Sequence, residues 1–103
     1  MNFVVHKISL AELDVAEAAI WYEAKTPGTG VDFIAEAEAA IASLEQHASL
    51  YSVRYAPVRC LRLSRFKNYG VYFAIRGGEV IVVAVLHGAR DIQNLVLGRM
   101  SNG

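Results

Sequence analysis

Tyr69-Gly70-Val71-Tyr72-Phe73-Ala74-Ile75, followed across Arg76-Gly77-Gly78-Glu79 by Val80-Ile81-Val82-Val83-Ala84-Val85-Leu86, decides the architecture of this chain. The first run is apolar on both of its alternating faces, and the second is a continuous, mostly β-branched stretch. Strands of that composition lie inside a sheet, covered on both sides. Gly77-Gly78 supplies the positive φ values that a tight two-residue hairpin needs, which makes the two strands antiparallel neighbours. Upstream, residues 58–64 read as a further strand. Arg59, Leu61 and Leu63 share one of its faces, and Val58, Cys60 and Arg62 share the other.

The first half supplies what must cover this sheet. Residues 3–8 form a short strand, and Ser9-Leu10-Ala11-Glu12 has the spacing of a capping box at a helix start. Leu13, Ala16, Ile20 and Ala24 then recur at helical spacing and are expected to face the core. Lys25-Thr26-Pro27-Gly28-Thr29-Gly30 ends that helix, because proline disfavours helix at the residue before it and glycine tolerates positive φ. A second helix starts with Thr29 and Asp32 in capping spacing and carries Phe33, Ala37, Ala40, Ile41 and Leu44 on one face. Asp91 can cap a short C-terminal segment with Ile92, Leu95 and Val96. The expected fold is α+β: an N-terminal strand, then a helical hairpin packed on a small, mostly antiparallel four-stranded sheet. The order is β-α-α-β-β-β with a short helical tail. Residues 1–103 form a single domain, with no linker, repeat or low-complexity segment.

Composition agrees. The chain has 103 residues, 54% of them hydrophobic and 19% charged, which excludes disorder and suits one compact core. The lone Cys60 cannot form an internal disulfide. The longest apolar run, residues 80–86, falls far short of the roughly 20 residues needed to cross a bilayer. With no basic head and apolar stretch at the N-terminus, the expected location is cytoplasmic, with no membrane partner. The charge is zero overall but unevenly spread. Glu12, Asp14, Glu17, Glu23, Asp32, Glu36, Glu38 and Glu45 crowd the first half, whereas Arg54, Arg59, Arg62, Arg65, Lys67, Arg76, Arg90 and Arg99 crowd the second. A basic face for an acidic partner or nucleic acid is one consequence; mutual neutralisation of the halves is the other.

The glycines lack phosphate-loop spacing, and His6, His47, His87 and Cys60 are too scattered for a zinc site. Neither a cofactor nor a metal is expected. The acids fall on solvated helix positions, so a pair of catalytic carboxylates is not expected either. The concentrated polar feature is Val85-Leu86-His87-Gly88-Ala89-Arg90-Asp91, where a buried strand ends in an imidazole, a guanidinium and a carboxylate. Such groups can exchange a proton near neutral pH and neutralise a phosphate. Equally, Asp91 can cap the tail, Arg90 can pair with an acid and His87 can bond backbone. Arg59, Arg62, Arg65 and Lys67, interleaved with Phe66 and Tyr69, are a second candidate for phosphate contact and base stacking. Strand alternation splits Arg59 from Arg62, and the aromatics equally serve a core. Trp21-Tyr22-Glu23 is either an aromatic lid on the core or a ligand platform.

Ala18-Ala19-Ile20-Trp21-Tyr22-Glu23, Pro27-Gly28-Thr29-Gly30-Val31-Asp32-Phe33, Val58-Arg59 before Leu63 and Arg65-Phe66, and Val83-Ala84-Val85-Leu86-His87-Gly88-Ala89-Arg90-Asp91 occur in this order over nearly the whole chain. Together they resemble the ParE/RelE superfamily of bacterial toxins, and most of all its ParE-type, plasmid-stabilisation branch. The resemblance implies the toxin half of a type II toxin–antitoxin module, neutralised by a small cognate antitoxin. ParE-type members poison DNA gyrase, whereas RelE-type members cut messenger RNA on the ribosome without a metal. RelE-type enzymes carry an arginine directly after the aromatic that opens the third strand, where this chain has Gly70 after Tyr69. Gyrase inhibition, without catalysis, is therefore the expectation, with Arg59, Arg65, Arg90 and Asp91 as target-binding residues and a mobile tail over residues 92–100. The alternatives are a ribosome-dependent endoribonuclease using His87, Arg90, Arg62, Arg65 and Lys67, or a non-toxic antitoxin-binding module of the same fold.

Overall fold

The computed structural model describes residues 2–102. In chain order it comprises β1 (Val4–Lys7), α1 (Ser9–Lys25), α2 (Thr29–His47), a 3-10 turn (Ala48–Leu50), β2 (Val53–Tyr55), β3 (Val58–Arg62), β4 (Tyr69–Arg76), β5 (Glu79–His87) and α3 (Ile92–Asn102). One sheet has the order β1-β5-β4-β3-β2, with β1 parallel to β5 and every other pair antiparallel. The α+β architecture is as expected, but the sheet has five strands rather than four. The additional strand, Val53-Arg54-Tyr55, is three residues long and folds back on β3 at the sheet edge. So short a strand shows no alternation that could reveal it.

The sheet is covered on both faces. Phe33, Ala37, Ile41 and Leu44 of α2 pack with Val71, Phe73, Val80, Val82 and Val85 on the hairpin side. Ile92 and Val96 of α3 pack with Val58, Tyr72, Val83, Ala84 and Leu86 on the other. The C-terminal segment is thus a docked eleven-residue helix and not a mobile tail.

The face that α2 buries is the one its spacing predicts, but α1 turns the opposite way. Its buried residues are Ala11, Asp14, Val15, Ala18 and Ala19, while Leu13 is 51% and Ile20 70% exposed and Ala16 and Ala24 also face outward. Both sets have helical periodicity, so spacing alone does not choose between them. The approach of the two helices does. A Cβ on Gly30 would stand 2.6 Å from the Ala19 carbonyl oxygen, a separation that admits only small side chains at the crossing.

The caps also differ from the expected ones. Ile8 precedes α1 without a side-chain cap, and Ser9 is already helical. At α2 the capping carboxylate comes from the preceding helix: Glu23 accepts from the amides of Gly28, at 2.9 and 3.0 Å, and of Gly30, at 3.0 Å. Gly28 makes this turn at φ 92°. The Thr29 hydroxyl instead reaches back to the carbonyls of Tyr22 and Thr26. In the β4–β5 hairpin only Gly77 has positive φ, 59°, so one glycine suffices where two were expected.

A bulge in β5 sets the direction of the strand's last side chains. Tyr72 pairs with Ala84 but Phe73 with Val82, which leaves Val83 without a partner on β4. Val83 and Ala84 consequently both face α3, and every residue after them is rephased. His87 therefore lies on the hairpin side, beside Tyr69.

Candidate functional site

At the end of β5 nearest α3, a cavity of about 790 Å³ opens between α1 and the strand ends. Trp21 and Tyr22 line it from α1, Asn68 and Tyr69 from the start of β4, and His87 and Arg90 from the end of β5 and the turn after it. Each is placed by a separate feature of the chain. The last turn of α1 carries Trp21 and Tyr22; Tyr22 stacks on Phe33 and meets Phe66 edge-on, while Trp21 remains 54% exposed with the Lys25 ammonium 5.0 Å from its ring. The bulge presents His87, whose ring lies edge-on to Tyr69 with centroids 5.3 Å apart. His87 Nδ1 accepts from the amide of Ala89 at 3.0 Å, which leaves the proton of a neutral ring on Nε2. Arg90 forms no ion pair among the described residues.

Burial pushes the phenols of Tyr22 and Tyr69 above their ordinary range; at Tyr69 the neighbouring Tyr22 adds to the rise and Arg90 opposes it. Both phenols remain protonated at neutral pH. The cavity thus offers hydroxyl, imidazole N–H and guanidinium donors beside aromatic surface, with the carboxylates of Glu17 and of the Arg99-paired Asp14 also on its lining, an arrangement suited to a partner surface of mixed polar and aromatic character.

The other predicted site residues do not join this cluster. Arg62 shares a face of β3 with Val58 and Cys60, toward α3, whereas His87 looks toward α1; its guanidinium reaches the Lys67 carbonyl at 3.5 Å. Lys67 stands exposed in the β3–β4 turn. Arg65 pairs with Asp32 at 2.9 Å and packs 5.2 Å from the Phe66 ring, and its amide donates to Glu36, so it ties that turn to α2. Arg59 donates to the Tyr51 carbonyl at 2.6 Å and braces the segment before β2. The Asp91 carboxylate accepts from the side-chain amide of Asn94 at 2.8 Å. Two ion pairs, Arg65–Asp32 and Arg99–Asp14, join the basic half of the chain to the acidic half, so part of the uneven charge is neutralised internally.

Reading by spacing misses Asp14. Its charge places it among the solvated acids, yet it is 8% exposed, bound by Arg99 at 2.6 Å and by the amide of Val85 at 3.0 Å. Its interval to Ala11, Val15 and Ala18 is the signal that places it on the inner face. No group of histidine, cysteine and acidic side chains suited to a metal ion occurs among the described residues, and none of their helices is long and apolar enough to cross a membrane.

The family model of the ParE toxin of the type II toxin–antitoxin system parDE matches residues 9–92, which span both helices of the hairpin and strands β2 to β5. No curated protein matches the sequence. Among solved structures, a chain of the chromosomal ParDE TA system from P. aeruginosa is similar in fold: the TM-score is 0.74 at 18% identity, over 84% of this chain and 96% of that one. With the α-hairpin on a mostly antiparallel sheet and a family match over most of its length, the chain belongs to the ParE toxin family of type II toxin–antitoxin systems.

Proposed function

We propose that this toxin arrests growth by binding DNA gyrase through the His87–Arg90 end of its sheet, and that a cognate antitoxin neutralises it by covering the outer face of the helical hairpin. One observation carries the preference for gyrase over RNA cleavage. Of the nuclease candidates only His87 and Arg90 share the cavity; Arg62 lies on the opposite face of the sheet and Arg65 is held by Asp32, so the full set that would attack and stabilise a phosphodiester does not converge. Binding makes a smaller demand: an exposed cation beside aromatic surface, as Arg90, Trp21 and Tyr69 supply.

The antitoxin reading rests on apolar exposure. Leu13, Ile20 and Trp21 on α1 and Val31 and Ile34 on α2 are all at least 40% exposed, an unusual density of large side chains in water for so small a chain. The toxin acts in the cytoplasm in this reading, where its target resides.

Controlled expression in a bacterial host with a DNA-damage reporter tests the proposal. Growth arrest with reporter induction, and loss of gyrase supercoiling by the purified protein, is the expected outcome. Arrest without induction, together with cleaved messenger RNA, would replace gyrase by the ribosome as target. Normal growth with soluble protein would make the chain an antitoxin-binding module only. Arg90→Ala and His87→Ala are expected to weaken toxicity while circular dichroism stays unchanged; variants that unfold instead would assign these residues to structure.

A further inference from the structure

Residues 46–78 hold no acidic side chain, and neither do residues 92–102, yet the first of these stretches carries Arg54, Arg59, Arg62, Arg65, Lys67 and Arg76. Arg59 and Arg65 are engaged on the hairpin side, with the Tyr51 carbonyl and with Asp32, and Arg76 stands opposite Glu79 across the β4–β5 pair. Arg54, Arg62 and Lys67 remain, all exposed and none in an ion pair among the described residues. The cavity at the end of β5 includes none of the three.

β2 and β3 bring two of these cations onto the face of the sheet that carries α3. Arg62 follows Val58 and Cys60 on that face of β3. Arg54 is the extra residue of an irregular pairing, in which Val53 is opposite Arg59 but Tyr55 is opposite Val58, and Tyr55 packs on the α3 side. The Cys60 thiol senses both guanidiniums: burial raises it, whereas the Tyr72 hydrogen bond and the charges of Arg54 and Arg62 lower it. The Arg62 guanidinium also reaches the Lys67 carbonyl at 3.5 Å, which brings the β3–β4 turn to the same corner. α3 covers chiefly β5 and leaves these side chains in water. At 0.1 M salt a charge is screened beyond about 10 Å, so the acids on the outer side of the helical hairpin do not cancel this basic margin.

We propose that the margin formed by Arg54, Arg62 and Lys67 holds the phosphate backbone of double-helical nucleic acid, without distinguishing its sequence. Arginine and lysine supply charge and donors to phosphate oxygens, which suffices for contact of this kind. The surroundings select the ligand. Single strands bind through aromatic rings on which bases stack, but Tyr72 is 4% and Phe66 7% exposed and Tyr55 packs against the α3-side core, so the margin offers no open ring face. A protein partner needs an apolar centre, and Val53, the exposed apolar residue of β2, lies with Arg59 toward the hairpin side. Because the margin and the outer hairpin face lie on opposite sides of the sheet, both can be occupied at once.

Fluorescence anisotropy of a short labelled DNA duplex of arbitrary sequence, titrated with the full chain at increasing salt, tests the proposal. Contacts from all three cations predict a slope of about −2.7 for log K against log salt concentration. Arg54→Gln combined with Arg62→Gln is expected to weaken binding and bring the slope to about −0.9. Arg54→Lys with Arg62→Lys keeps both charges and should bind as the wild-type chain does, and Arg76→Gln should leave affinity and slope unchanged. Absence of binding by the wild-type chain overturns the proposal, as does a slope that the glutamines do not move. An equal loss in Arg76→Gln also overturns it, because overall charge would then be the cause. A single strand of the same sequence bound as tightly would replace the duplex as ligand, and displacement of the duplex by polyglutamate at equal charge would replace it by an acidic protein; either result defeats the proposal. A glutamine variant without the wild-type circular dichroism spectrum would assign the two arginines to the fold and defeat it too. Neither gyrase nor antitoxin is present in the titration, so its failure leaves the assignment of target and antitoxin untouched.

Discussion

At Gly70, an added Cβ would stand 2.8 Å from the Cys60 sulfur and 3.3 Å from the Tyr72 ring. No side chain fits there unless both neighbours move, so the arginine that RelE-type enzymes place after the strand-opening aromatic has no room on this β4. Gly70→Ala is expected to cost about 1–3 kcal/mol in urea unfolding through overpacking. The cost should fall when Cys60→Ala removes the sulfur; a cost independent of residue 60 would refute the steric account. The same neighbours set a pH limit. Burial above all, with the Cys60 thiol beside it, pushes the Tyr72 phenol up to about 12, and burial also pushes Cys60 up from its ordinary value. The folded state therefore holds a proton that the unfolded chain releases near pH 10. This contribution to stability is complete below that pH and disappears as the pH rises through about 12. Tyr72→Phe should flatten the loss of stability across this interval, and a wild-type curve already flat there would contradict the shift.

At the scale of elements, the helical hairpin is held by a residue that belongs to neither stripe. Glu23, in the last turn of α1, accepts the first free amides of α2, while Gly30 lets the two backbones approach. Cap and turn act as one unit across the break at Pro27-Gly28. Glu23→Ala is expected to cost about 1 kcal/mol, the usual loss for a removed helix cap. For a domain of this size that is a fall in Tm of roughly 4–8 °C. An unchanged Tm would mean that water replaces the carboxylate without loss. The β5 bulge is the other decisive element. It turns His87 from the α3 side to the α1 side, so one unpaired residue, Val83, determines which layer the strand-end imidazole faces.

For the whole molecule, the outer face of the hairpin is the outstanding liability. Leu13 and Ile20 sit two turns apart on α1, with Trp21 beside Ile20 and Val31 on α2, all more than half exposed. Without a partner, the chain is expected to self-associate at high concentration through this face, and Ile20→Lys should reduce that association and weaken antitoxin binding together. Light scattering and a binding titration check the two effects. A wild-type chain that stays monomeric at high concentration would remove the argument from exposure.

Much of this organisation is legible in the residues. Alternation and β-branching in residues 69–86, the glycine turn between the strands, the α2 stripe and the Pro27-Gly28 break all depend on local backbone preference, which acts over a few neighbours. They determined the α+β class, the order of the helices and of every strand except β2, and a strand ending in His87 with Arg90 in the turn after it. The rest required the packed molecule. Which face of α1 is buried depends on how closely two helices approach. The covering of both sheet faces, the position of His87 and the fate of Arg62 and Arg65 depend on pairing and contact between distant segments. Asp14 shows the difference: its charge points to water by composition, while its burial comes from Arg99, 85 residues further along the chain, and from an edge that exists only once β1 stops short of the end of β5.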